Sequence, residues 1–239
     1  MNFVSDRVTR GPGRHAFAVA GALLACAAFA ACESSNGTAP NTPYQVLVQG
    51  ADTLDGVVGT ALGTAVAVRV YDVNLRPVPN VAVTFAVSPA NGATVNPTTV
   101  TSDDSGFART AATLGTAAGV DTVTATIADG TPETVFLVAN GGAPSHVMAD
   151  SGNQQSAAAG APLPDSLIAL VTDQFGNPLP NVTVTWSTTS AGTLGATTTQ
   201  TDASGLTANT YTLAPTAGSQ SVVAAVSPSL QATFTEVGQ

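Results

Sequence analysis

Val171-Thr-Asp-Gln-Phe-Gly-Asn-Pro-Leu-Pro-Asn-Val-Thr-Val-Thr-Trp186 decides the fold, because the chain contains it twice. Val70-Tyr-Asp-Val-Asn-Leu-Arg-Pro-Val-Pro-Asn-Val-Ala-Val-Thr-Phe85 aligns with it without a gap, 101 residues upstream. Asp72, Pro77, Pro79, Asn80, Val81, Val83 and Thr84 recur as Asp173, Pro178, Pro180, Asn181, Val182, Val184 and Thr185. Further on, Asp103-Asp104-Ser105-Gly106 matches Asp202-Ala203-Ser204-Gly205 at an offset of 99, so the first copy carries two extra residues between Val87 and Thr101. Self-similarity at this spacing means one structural unit written twice, each copy about 95 residues long.

Each copy reads as β. Val81, Val83, Phe85 and Val87 alternate with Ala82, Thr84 and Ala86, as Val182, Val184 and Trp186 alternate with Thr183, Thr185 and Ser187. Period two with β-branched and aromatic residues on one side describes a half-buried strand. Val66, Val68 and Val70 (Leu167, Ala169 and Val171 in the second copy) form the strand before it. Val123, Ala125 and Ile127 (Val222, Ala224 and Val226) form a later one. Pro77 and Pro79, with Pro178 and Pro180, forbid helix and place a turn between the first two strands. With the weaker runs at 45–48, 94–101 and 134–139, the count is about seven short strands per copy, which predicts a sandwich rather than a barrel. The fold class is therefore all-β, with two tandem immunoglobulin-like β-sandwiches of about seven strands each. Phe136 or Phe234, the Val and Leu residues and the central Phe85 or Trp186 are expected to fill the cores.

Both copies resemble the bacterial immunoglobulin-like domains of the invasin/intimin type. The second shows that family's string, with Asp173, Gly176-Asn177-Pro178-Leu179-Pro180, Val182-Thr-Val-Thr-Trp186 and Thr201-Asp202-Ala203-Ser204-Gly205. The first departs at Leu75-Arg76, where the family prefers Gly-Asn, so its turn lacks a glycine for a positive φ. The resemblance spans about residues 44–238 and implies a stalk, adhesin segment or accessory module.

Residues 1–31 read as an export signal. Arg7, Arg10 and Arg14 precede an apolar run from Ala16 to Ala31 that is short for a bilayer span. The run ends in Phe29-Ala30-Ala31-Cys32 before a polar stretch, which resembles a bacterial lipoprotein signal with Cys32 as the lipidated residue. Leu23-Leu24-Ala25-Cys26 also resembles the motif, but cleavage there would leave an apolar tail on the mature chain. Ordinary cleavage after Ala30, leaving Cys32 as a free thiol, and an uncleaved anchor are the other routes. Residues 32–43 form a polar, Pro-containing tether, followed by a first domain at 44–139, a linker at 140–144 and a second domain at 145–239. The Asn140-Gly-Gly-Ala-Pro144 linker is expected to be open to proteases and to set the angle between domains.

Composition narrows the function. The chain has 239 residues, no Lys, six Arg and fifteen acids, and beyond residue 32 only Arg69, Arg76 and Arg109 face fourteen acids. That leaves no basic patch for nucleic acid and no Lys for phosphate chemistry. His146 is the one His after residue 32, with no Gly-x-Ser-x-Gly elbow, so neither a catalytic triad nor a His/Cys zinc site is expected. No catalytic residue, cofactor or metal is expected. Asp72, Asp173, Asp103, Asp104 and Asp202 have two readings: oxygen ligands for Ca²⁺, or caps that accept backbone N–H bonds in their own turns. Trp186 is expected in the core rather than at a sugar site, and Tyr71 and Tyr211 are candidates for a contact surface. The reading is a non-catalytic, lipid-anchored cell-envelope spacer, scaffold or adhesion module. The alternative is an accessory module that binds a glycan or protein ligand on a sheet edge or loop cluster.

Overall fold

The computed structural model describes residues 42–88 and 90–239, which all lie in one compact unit. The signal segment and most of the tether, with Cys26 and Cys32, lie outside the described residues. In the first domain the strands are β1 (Gln45–Val48), β2 (Thr53–Val57), β3 (Val66–Tyr71), β4 (Ala82–Ser88), β5 (Thr94–Asn96), β6 (Thr99–Thr101), β7 (Phe107–Thr113), β8 (Gly119–Thr126) and β9 (Glu133–Asn140). They make a four-stranded sheet, β1-β3-β7-β5, and a five-stranded sheet, β2-β9-β8-β4-β6. The pairs are antiparallel except β2 with β9. Gly50, at φ 99°, lies in the connection where the chain leaves the first sheet for the second.

The second domain repeats the plan. Its strands are β10 (His146–Ser151), β11 (Ser156–Ala157), β12 (Leu167–Thr172), β13 (Thr183–Thr188), β14 (Thr193–Leu194), β15 (Thr198–Gln200), β16 (Leu206–Asn209), β17 (Tyr211–Thr212), β18 (Gly218–Ser227) and β19 (Leu230–Gly238). One sheet is β11-β19-β18-β13-β15; the other comprises β10-β12-β16 with the short pair β14-β17. The arrangement is an immunoglobulin-like sandwich in which the opening strand is shared between the two sheets.

The strand count exceeds the expected seven. The stretch at 94–101 divides into β5 and β6, which pair with opposite sheets. Strand β2 was illegible because Thr53-Leu-Asp-Gly-Val57 lacks apolar alternation; it is held by backbone pairing to β9. In the second domain Thr210 leaves the ladder and separates β16 from β17.

The alternating residues bury as their period demands. Val66, Val68, Val70, Val83, Phe85 and Val123 pack inside the first sandwich, and Leu167, Val171, Val184, Trp186, Val222 and Phe234 inside the second. Phe136 is not a core residue: it is 43% exposed, because Val135 and Leu137 take the inward positions of β9. Its counterpart in the second copy is Thr235, whereas Phe234 replaces Val135. The extra volume of Phe234 lies against Trp186, with ring centroids 5.7 Å apart.

The Pro turns keep one conformation despite their different sequences. Gly176 has φ 85°, and Leu75, at the matching place, has φ 59°. Leu75 accepts the left-handed backbone because its side chain is exposed and meets no wall. That conformation costs an L-residue roughly 1–2 kcal/mol, partly offset by the smaller chain entropy that Leu loses on folding. Leu75→Gly is therefore expected to stabilise the first domain by about 0.5–1 kcal/mol. A raised denaturation midpoint for that domain checks this, and a lowered one refutes it.

Candidate functional site

In four of the turns one carboxylate oxygen accepts two backbone N–H groups. Asp72 Oδ1 accepts from the N–H groups of Asn74 and Arg76, both at 2.8 Å. Asp173 Oδ1 does the same for Phe175 and Asn177, both at 2.9 Å. Asp103 Oδ1 takes Ser105 and Phe107, and Asp202 Oδ1 takes Ser204 and Leu206. Asp104 is exposed beside its turn. Each engaged Asp thus replaces the missing backbone acceptor of a tight turn, the capping alternative of the two readings. Among the described residues no three His, Cys, Asp or Glu side chains converge on a metal position.

The two turns beginning at Asp72 and Asp173 then part company. The second is wedged against the end of the first domain. Asn177 Nδ2 donates to Thr116 O at 2.8 Å, and Asn177 Oδ1 accepts from Ala118 N at 2.9 Å. One side-chain amide therefore clamps the loop between β7 and β8 through both its groups. The Phe175 ring lies over Gly59, where a Cβ would come within 3.0 Å of Cζ. Asp173, wholly buried, uses Oδ2 for Gly142 N and Asn177 Nδ2, both at 2.9 Å. Burial pushes the Asp173 carboxyl up, but the Asn177 amide and the N–H groups of Gly142, Asn177 and Phe175 outweigh it and hold it below the usual carboxylate range. Gly141 and Gly142 let the linker pass here; a side chain on Gly141 would strike Leu179. Within the segment at 140–144, Gly142 is tied to the second domain's turn, while Ala143 is exposed.

The other predicted residues fall in different places. His146 opens β10, exposed, with Nδ1 3.2 Å from Asp173 O. Trp186 is 2% exposed and donates from Nε1 to Thr199 Oγ1 at 2.7 Å. Tyr211 is not a contact residue: it shares the parity of Leu213, is 1% exposed, and bonds through its hydroxyl to Gln220 Oε1 at 2.9 Å. Tyr71 is half-buried on the outer face of β3.

That outer face carries a feature the sequence reading missed. Arg69 and Phe107 are cross-strand partners, and Arg109 lies two residues along β7. The guanidiniums of Arg69 and Arg109 sit 4.8 Å and 4.3 Å from the Phe107 ring centroid, and Arg69 is 5.4 Å from that of Tyr71. The signal was the i, i+2 spacing of Phe107 and Arg109; the register that adds Arg69 is a tertiary fact. In the second domain, the same places hold Leu170, Leu206 and Ala208, without charge. Arg109 also pairs with Asp103 at 3.3 Å. Backbone donation from Phe107 to Asp103, joined by Ser105 and by Arg109 and opposed by slight burial, holds that carboxyl below its ordinary value.

A second polar feature lies inside the second sandwich. Gln220 and Glu236 are directly paired across β18 and β19, and both point inward. Glu236 Oε2 accepts from Gln155 N at 2.7 Å, while Glu236 Oε1 and Gln220 Nε2 have no hydrogen-bond partner among the described residues. Burial pushes the Glu236 carboxyl up, and the N–H groups of Gln155 and Gln154 offset only part of this.

Comparison with known proteins follows the same division. Residues 145–236 match the family described as bacterial Ig-like domain (group 1). No curated protein sequence matches. Among solved structures, the Escherichia coli adhesin FdeC is similar at 21% identity with a TM-score of 0.54, over 81% of this chain and 66% of that one. Yersinia pseudotuberculosis InvD is similar at 17% identity with a TM-score of 0.52, over 82% of this chain and 57% of that one. Residues 145–236 are thus similar to bacterial Ig-like domains of group 1, and the likeness to these solved structures is one of fold, the chain forming two tandem immunoglobulin-like sandwiches.

Proposed function

We propose that the protein is a non-catalytic, lipid-anchored module of the bacterial cell envelope, holding its two sandwiches as a spacer or scaffold in adhesion. The observation that carries this reading is the joint. A two-domain chain serves as a spacer only if its length is defined, and Asn177, Phe175 and Asp173 tie both domains and the linker together at one point. Domains without a large apolar interface move relative to one another by default, so in this reading the hydrogen bonds from Asn177 and Asp173 to backbone of the first domain and the linker are what restrict that motion. The likeness of fold to an adhesin supports the same reading. Cys32 is the proposed anchor and the tether holds the first sandwich away from lipid.

The test joins both halves of the reading. In cells fed a clickable fatty acid, the wild-type chain is expected to carry label and sediment with membranes, and Cys32→Ser to lose both. Asn177→Ala is expected to keep the label but to broaden the length distribution in small-angle scattering of the purified soluble part. Unlabelled wild type, or a scattering curve unchanged by Asn177→Ala, overturns the corresponding half.

A second reading has its own observation. The Arg69, Phe107, Arg109 and Tyr71 face is an aromatic and cationic patch on a strongly acidic chain. It favours a protein or glycan ligand bearing carboxylates. Saturable binding lost in Arg69→Ala would favour this accessory-module reading over the pure spacer.

A further inference from the structure

The joint has two halves, and the repeat distributes them unequally. The plug is the turn Asp173-Gln-Phe-Gly-Asn-Pro178, acting through Phe175 and Asn177. The socket is the end of the first domain, where Gly59 makes room for the ring and Thr116 O and Ala118 N meet the amide. Its frame is a set of backbone bonds: Val58 N to Asn140 O, Gly59 N to Gly115 O, Thr60 N to Val57 O, and Leu114 N to Thr60 O.

The far end of the second domain reproduces that frame bond for bond. Ala159 N donates to Gln239 O, Gly160 N to Ala214 O, Ala161 N to Ala158 O, and Leu213 N to Ala161 O. Gly160 has φ 79° where Gly59 has φ 71°, and a Cβ on it would meet only Pro215 Cα, at 3.9 Å. Pro215 O and Ala217 N stand at the places of Thr116 O and Ala118 N; both residues are exposed, and among the described residues no partner takes either group. The position over the Gly160 Cα is thus open, as is the donor–acceptor pair beside it.

The first domain supplies no plug to match. Its turn has the same Asp cap and backbone path, but Asn74, Leu75 and Arg76 replace Phe175, Gly176 and Asn177. Arg76 can donate to a carbonyl but cannot accept from an N–H, so it cannot copy the amide clamp. Among the described residues there are therefore two sockets and one plug, and the plug is already used. We infer that the far end of the second sandwich is a docking site for another immunoglobulin-like domain that presents an Asp-x-Phe-Gly-Asn-Pro turn. A second wild-type copy does not fill it, because its one such turn is occupied within its own chain.

The test gives the chain a free plug. In the variant Asn74→Phe/Leu75→Gly/Arg76→Asn, each molecule offers an open plug at one end and an open socket at the other, a head-to-tail contact that propagates. Without the linker, which supplies an effective concentration on the order of 1 mM inside the chain, association must be sought at high concentration. Sedimentation is expected to show wild type staying monomeric and the variant at least doubling in mean mass by roughly 1 mM. Adding Gly160→Asn, which tolerates the positive φ but fills the ring's place, is expected to restore the monomer. A folded triple variant that stays monomeric, or one that assembles equally with Gly160→Asn, overturns the inference. Should the triple variant not fold, Arg76→Asn alone decides: amide shifts at Gly160 and Ala217 that grow with concentration support the site, and unmoved shifts overturn it. None of these outcomes depends on lipid anchoring or on the spacer reading.

Discussion

Trp186→Ala is expected to cost the second domain about 4 kcal/mol, most of the stability of a domain at the lower end for this size. The indole is the largest fully buried side chain in the second core and sits between the sheets on β13. Removing it leaves a cavity beside Phe234, whose ring lies 5.7 Å away, and the rigid ladders on either side cannot collapse to close it. The Nε1–H bond to Thr199 goes too, but Thr199 Oγ1 keeps Thr207 Oγ1 as a partner at 2.6 Å, so no buried hydroxyl is stranded. Trp186→Phe should be much milder, because Phe85 fills the same place in the first domain. Denaturation followed by circular dichroism checks this. The alanine variant should show the second domain's transition shifted or missing while that of the first domain stays in place. A loss below about 1 kcal/mol would mean that the core repacks.

Asp173→Ala is expected to cost about 3 kcal/mol and to free the joint as well. The carboxylate is wholly buried and serves four donors: the N–H groups of Gly142, Phe175 and Asn177, and the Asn177 side chain. Truncation leaves those donors without their acceptor, and the turn that presents Asn177 to Thr116 and Ala118 loses its brace. The pH dependence has a definite sign. Because the folded carboxyl lies below its unfolded value, its stabilisation is complete above the unfolded pKa, near 4, and fades as pH falls through the folded one. The difference between wild type and Asp173→Ala should therefore shrink in acid. Glu236, raised by burial, acts oppositely: it favours the folded state more at low pH and less as pH rises through its folded value. Taking the difference between the two chains removes the Glu236 contribution. A penalty that grows in acid would show that Asp173 is not acting as a carboxylate acceptor.

Much of the fold was legible because a strand's burial has period two, and Val83, Phe85, Val184 and Trp186 announce it directly. The errors share one cause. Phe136 and Tyr211 were placed by residue type or by loosely assigned parity. Only the ladder partners of β9 and β17 show which side faces in. The caps were readable from Asp-x-x-Gly spacing, since a turn carboxylate meets its own neighbours within four residues. Gly176-Asn177 was readable as a turn but not as a clamp. The carbonyl and N–H it grips belong to residues some sixty positions away.

The sequence by itself determined the repeat, the all-β sandwich, the positions of the Asp-led turns and the scarcity of cationic side chains, for these rest on composition and on contacts between near neighbours. It also placed Gly176 and Leu75 at one position, though only the backbone showed both taking positive φ. Tertiary structure alone decided that the Phe175 and Asn177 turn is the joint, that Arg69 meets Phe107, and that the Gly59 socket recurs at Gly160. The physical reason is register. Which distant backbone group lies opposite a given side chain is set by how strands pair and how sandwiches abut, and no local pattern of residues encodes that distance.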